Sequence, residues 1–116
     1  MIRESRRVCL ALDLIDDADL IAAYDAAHAP GAVWPDVIRG IRASGVVAME
    51  IWRTGERLFM IAEVAEDWPR AIPADLEAVD ACWQAAMERF QRRLANAGGD
   101  DKWVTMKRIF HWDAQA

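Results

Sequence analysis

Between residues 7 and 14 every second position is aliphatic, Val8, Leu10, Leu12 and Leu14 alternating with Arg7, Cys9, Ala11 and Asp13. A period of two is that of a β-strand with one strongly apolar face. After the cap-type pair Asp16-Asp17 the period lengthens. From Ala18 the chain is alanine-rich, and Leu20, Tyr24 and His28 recur at steps of four, which predicts a helix with those three residues on one face. Pro30 and Gly31 end it. Trp34-Pro35-Asp36 opens a second helix, with proline in the first turn, that runs through Val37, Ile38 and Ile41 to Gly45.

Alternation returns from Val46 to Arg53 and, after Thr54-Gly55-Glu56, from Arg57 to Val64, which predicts an antiparallel hairpin. Asp67 to Pro73 is an irregular connection. Ala74 to about Leu94 reads as a long amphipathic helix displaying Leu76, Val79, Cys82 or Trp83, Met87 and Phe90. Ala95 to Asp101, with its paired glycines, is a loop, and Lys102 to Trp112 predicts a last strand.

The order β-α-β-β-α-β, with right-handed crossovers, gives an α+β fold of ferredoxin-like type, a four-stranded antiparallel sheet with both helices on one face. The other face is then bare, yet Phe59 and Ile61 oppose Leu58, Met60, Ala62 and Val64 on the third strand, so both faces are apolar enough to be covered. A second copy is the simplest cover, and the expectation is a homodimer with two sheets packed face to face. The 116 residues suffice for a single domain, 1–116, and one core.

Charge narrows the partners. Fourteen basic against 19 acidic residues give a net charge of −5, the wrong sign for neutralising phosphates, so nucleic acid is not an expected partner. The opening Met-Ile-Arg-Glu-Ser-Arg-Arg is not followed by the apolar stretch of a signal peptide, and no apolar run approaches the ~20 residues that span a bilayer; the expected location is the cytoplasm. Cys9 and Cys82 are too few for a disulfide framework and read as small buried apolar residues. With His28 and His111 the only histidines, no metal site is expected.

Two features point to chemistry. Six tryptophans, at 34, 52, 68, 83, 103 and 112, exceed what packing needs, and aromatic rings beside a few polar groups suit a sugar, whose apolar ring faces stack while its hydroxyls demand hydrogen bonds. Core and interface packing is the alternative for each of them. His28, four residues after Tyr24, puts an imidazole and a phenol on one helical face, and imidazole is the side chain whose charge changes between about pH 5 and 8. That suits general acid-base work on a hydroxyl or a ring oxygen. A helix-end cation or a satisfied core histidine is the other reading of the same position. His111 reads as structural or exposed.

The segments Tyr24-Asp-Ala-Ala-His28-Ala-Pro-Gly-Ala-Val-Trp34-Pro35, Ile41-Arg-Ala-Ser-Gly45, Met49-Glu-Ile-Trp52, Arg57-Leu-Phe-Met-Ile61 and Lys102-Trp-Val-Thr-Met-Lys-Arg-Ile-Phe110 together resemble the L-rhamnose mutarotase family, and in particular its L-fucose mutarotase-like branch. The resemblance spans nearly the whole chain. It implies a dimeric α/β barrel built from ferredoxin-like subunits, no cofactor, and interconversion of the α and β anomers of a 6-deoxy sugar. It makes His28 the proton donor and Tyr24 a sugar contact. Met49 stands where rhamnose-type members carry a second tyrosine, and Trp83-Gln84 where they carry paired tryptophans; both tilt the expectation toward L-fucose.

Mutarotation needs one acid and one base. On this reading His28 handles one proton, Tyr24 orients a hydroxyl, Trp83 or Trp34 stacks on the ring, Met49 lines the site, and Glu63, Glu50 or Asp80 is open as the second proton-handling group. Cofactor-free monooxygenases, heme-degrading proteins and non-catalytic small-ligand-binding dimers share the fold and are the alternatives.

Overall fold

A computed structural model describes residues 5–99 and 101–115. The charged opening at 1–4, on which the expectation about a leader partly rested, lies outside the described residues. The chain runs β1 (Ser5–Leu14), α1 (Ala18–Ala27), α2 (Pro35–Ala43), β2 (Val46–Thr54), β3 (Arg57–Ala65), α3 (Ala74–Glu88), β4 (Gln91–Arg92), β5 (Val104–Thr105) and a closing 3₁₀ turn (Trp112–Gln115). The strands stand in the order β2-β3-β1-β4, and β5 also pairs with β1. This is the ferredoxin-like α+β arrangement, all pairs being antiparallel. Among the described residues no helix is long and apolar enough to cross a membrane.

Local chemistry explains the helix ends. Asp17 caps α1, its carboxylate accepting from the Leu20 N–H at 3.0 Å. Pro35 occupies the first turn of α2, where its missing N–H costs nothing. At the other end Gly45 has φ 110°, and a Cβ there would lie 3.3 Å from the Cβ of Trp68, so only glycine lets the chain reverse this closely against that tryptophan.

Register brings the apolar rows together. Leu10 lies opposite Met60 and Val8 opposite Ala62 on one side of the hairpin, while Ile51 faces Met60 and Met49 faces Ala62 on the other. Strict alternation would put Val46 and Met49 on opposite faces. A bulge at Val47, between Val46↔Val64 and Ala48↔Glu63, adds one residue and restores both to the helix side. Val47 itself is 69% exposed. The core under the helices comprises Leu14, Tyr24, Val37, Leu58, Trp83, Met87 and Phe90, continued by Val8, Leu10, Val46, Ala62 and Val64.

Three expectations need correction. The long helix stops at Glu88 instead of near Leu94: Phe90 turns into the core, and Gln91–Arg92 pair with Leu14 and Asp13 as a fourth-strand fragment. The last strand, expected over 102–112, is reduced to Val104–Thr105, followed by one further bond from the Met106 N–H to the Cys9 carbonyl. Beyond it β1 offers Val8 and then the exposed Arg7, Arg6 and Ser5, and the segment mixes Lys107 and Arg108 with Ile109 and Phe110, so no consistent apolar face holds it against the sheet. Finally, Cys82 is exposed and Cys9 half-buried; on α3 it is Trp83 that faces inward, leaving its neighbour turned to solvent.

Candidate active site

Between the three helices and the apolar rows of the sheet lies a cavity of about 410 Å³. That size falls within the range of small-molecule pockets, about 300–1,000 Å³. Its floor is sheet: Leu10, Val46, Met49, Ile51, Met60 and Ala62. Its walls come from α1 (Tyr24, His28), from α2 and the residues flanking it (Val33, Val37, Ile38, Ile41, Ser44), and from α3 (Asp80, Trp83, Gln84, Met87), with Trp68, Gln91 and Trp103 closing it. An apolar hollow with a few convergent polar groups is what a ligand with both apolar faces and hydroxyls requires.

His28 is held in a defined orientation. It is the C-cap of α1, where its own N–H turns back to the Asp25 carbonyl at 3.1 Å. Its Nδ1 lies 2.8 Å from the Tyr24 carbonyl oxygen. A carbonyl can only accept, so Nδ1 carries the proton and Nε2 is the nitrogen left for a ligand. The ring is further wedged by aromatic neighbours, Tyr24 at 4.2 Å between centroids and Trp83, edge-on, at 5.6 Å.

Tyr24 is buried at 4% exposure. Burial pushes its phenol above the ordinary tyrosine range, Asp25 adds to the rise, and a hydrogen bond from the Gln91 side chain acts in the opposite sense. The phenol therefore stays protonated at neutral pH and serves as a donor. Gln91 is itself oriented: Lys102 Nζ donates to its Oε1 at 3.3 Å and to Gln84 Oε1 at 3.1 Å, and Glu88 pairs with the same ammonium at 3.0 Å. With the Gln91 oxygen taken by Lys102, its NH₂ is the part of the amide left to donate.

Of the five site residues expected from the sequence, Tyr24, His28, Met49 and Trp83 line this cavity together. Trp34 does not line it; it packs edge-on against Trp83 at 5.1 Å and is 38% exposed. Of the three carboxylates left open, Asp80 lines the cavity, whereas Glu50 and Glu63 border a separate hollow of about 390 Å³ beside Arg7. Sequence reasoning passed over Lys102 and Gln91, and named Trp68 and Trp103 only among the six tryptophans, without placing either in the site. No periodic pattern marks them, because each sits in a loop or a two-residue strand. Among the described residues no group of three or more His, Cys, Asp or Glu side chains is arranged to hold a metal.

Residues 7–112 match the sequence model of a family described as L-rhamnose mutarotase. Over 108 residues, 90% of this chain and 86% of the relative, the sequence is 42% identical to an L-fucose mutarotase of Xanthomonas campestris pv. campestris. A UPF0734 protein of Dictyostelium discoideum is 30% identical over 90 residues, 74% of this chain and 70% of that one. The crystal structure of an L-rhamnose mutarotase from Formosa agariphila is similar at a TM-score of 0.64, covering 91% of this chain and 97% of that one; at 16% identity the likeness is one of fold.

Proposed function

The chain belongs to the L-rhamnose mutarotase family and is thereby a sugar mutarotase, an isomerase; from that premise we propose that it interconverts the α and β anomers of a 6-deoxy hexose, L-fucose first, through proton transfer at His28. The observation that carries this reading is the imidazole with Nδ1 tied to the Tyr24 carbonyl and Nε2 left to the cavity.

Anomerisation opens the hemiacetal by protonating the ring oxygen and deprotonating the anomeric hydroxyl, lets the aldehyde turn its other face, and closes the ring again. Nε2 is the atom of His28 that exchanges a proton with the sugar. The Tyr24 phenol donates to a hydroxyl and fixes the pyranose relative to that nitrogen. Trp83, already packed edge-on to the imidazole, offers its face to the apolar side of the ring. Proton transfer by one placed group contributes about 10²–10⁴ in rate.

The preference for L-fucose over L-rhamnose rests on the name of the 42% identical relative, and that for a 6-deoxy sugar on the cavity floor. Met49, Ile51 and Met60 suit a methyl at C6, whereas a hydroxyl there would lose its water partners. Saturation-transfer NMR between anomer signals, with and without protein, tests this over L-fucose, L-rhamnose and L-galactose. L-Fucose exchanges fastest and L-galactose, which adds only the 6-hydroxyl, is slower by up to about 10². No acceleration of any of the three sugars would end the reading.

We also propose that the chain works as a homodimer. On the sheet face away from the helices Trp52 is 60% exposed and Phe59 and Ile61 are half-buried. The segment after β5 adds Met106 (44%), Ile109 (91%), Phe110 (59%) and Trp112 (79%). Large apolar side chains left in water in such number suit a partner surface. Light scattering at micromolar concentration gives twice the 13.1 kDa chain mass if this is so.

A further inference from the structure

We propose that Asp80 is the second catalytic group, the base that takes the anomeric proton while the His28 imidazolium delivers one to the ring oxygen. The inference rests on the mutarotase reading and deepens it.

The titratable groups lining the cavity are Tyr24 and His28 from α1 and Asp80 from α3; the strands and α2 contribute none. Lys102 and Glu88 pair with each other at the rim and do not line it. Two proton transfers therefore have three side chains to draw on. Tyr24 is removed as a base by the raised pKa of its buried phenol. His28 has one nitrogen committed to the Tyr24 carbonyl, so it meets the sugar through Nε2 alone and serves one oxygen at a time. Asp80 is what remains. It lies one helical turn before Trp83, so its carboxylate projects from the same face of α3 as the indole that packs on the imidazole. Asp80 takes part in no ion pair or side-chain hydrogen bond among the described residues, unlike Asp13, Asp25, Asp36 and Asp67, each of which holds an arginine.

The step balances without any further reactant. Asp80 carboxylate accepts the proton of the anomeric hydroxyl as Nε2–H of the imidazolium protonates the ring oxygen. The bond between C1 and the ring oxygen breaks and C1 becomes the aldehyde carbon. After rotation about C1–C2, neutral Nε2 takes the proton back from the C5 hydroxyl, that oxygen attacks the other face of C1, and the Asp80 carboxylic acid returns its proton to O1. Both groups end as they began.

The experiment is saturation transfer on L-fucose with wild type, Asp80→Asn, Asp80→Ala, His28→Gln and the double variant Asp80→Asn/His28→Gln, each with a separate titration of sugar binding. We expect Asp80→Asn and Asp80→Ala to lose about 10² in exchange rate with sugar affinity retained, and the double variant to be no slower than the worse single one, as for groups acting as a unit. Exchange at the wild-type rate in either Asp80 variant overturns the proposal and leaves the mutarotase reading standing. Loss of rate matched by equal loss of affinity in both also overturns it, making Asp80 a binding contact. A wild type that accelerates no sugar overturns the reading and this proposal with it.

Discussion

On the sheet face turned from the helices, Asp13 accepts from Arg57 at 2.7 and 3.1 Å and from Arg92 at 3.4 Å, and Arg7 meets Glu63 directly across the strand pair at 3.3 Å. On the face beneath the helices, His28 and Asp80 have no ion-pair partner among the described residues and border an apolar hollow. The same strands build both sides. Where opposite charges meet across the register they act as clips: Asp13 holds β1 to β3 through Arg57 and to β4 through Arg92, at the point where the fourth strand is only two residues long. Where polar groups are left unmatched in a hollow, they are free to exchange protons with something that enters it. Burial alone does not follow this division, since Asp13, whose charge is matched, is more buried than Asp80, whose charge is not.

The sharpest way to break that division is to exchange one residue from each side. His28→Gln lowers the anomer exchange rate by about 10²–10⁴ and leaves the unfolding midpoint near that of wild type. Asp13→Asn does the reverse. It loses roughly 2 kcal/mol, less than for a fully buried pair because both guanidinium groups are half-exposed, and denaturant titration reads that loss while exchange stays unchanged.

Acid sharpens the second half. The Arg57 guanidinium, bonded to the Asp13 carboxylate, holds its pKa below the ordinary aspartate range, burial opposes this, and Arg92 adds to the lowering. A depressed folded-state pKa contributes stability that is present above the unfolded value, about 3.9, and is lost as pH falls through the lower folded one. Thermal melts of wild type therefore steepen their decline below about pH 4, and Asp13→Asn flattens that slope.

Smaller effects follow at the rim and the edge. Lys102→Met frees the amides of Gln84 and Gln91 to rotate, and weakens sugar binding about five-fold, roughly the net value of one neutral hydrogen bond. Arg7→Ala, breaking an exposed pair, changes stability by at most about 0.5 kcal/mol and exchange not at all.

Much of this was readable in advance because period and punctuation agree. β1, the hairpin and the two short helices each carry a clear period bounded by Asp17, Pro30, Pro35, Gly45 or Gly55, and the four-residue step from Tyr24 to His28 placed both on one face. The fourth strand was not legible, since two residues have no period and β4 and β5 are each that short. Cys82 and Trp83 are separated by a single helical step, and the apolar pattern left open which of them faces inward. The cavity's closing side, Trp68, Gln91 and Trp103, is brought together by tertiary packing alone. The bulge at Val47 was also hidden, although without it Met49 would leave the site.

The stop of α1 sets more than a boundary. In a continuing helix the Tyr24 carbonyl would receive the backbone N–H four residues on; because that amide tightens onto Asp25 instead, the carbonyl is vacant and the side ring takes it. The choice of protonated nitrogen, a task that a neighbouring acid performs in many hydrolases, thus falls to the peptide backbone here. No side-chain replacement at position 24 can abolish it, whereas a change that lets the spiral run one residue longer would release the ring, and on the mechanism proposed above would disarm the enzyme without touching a single group that meets the sugar.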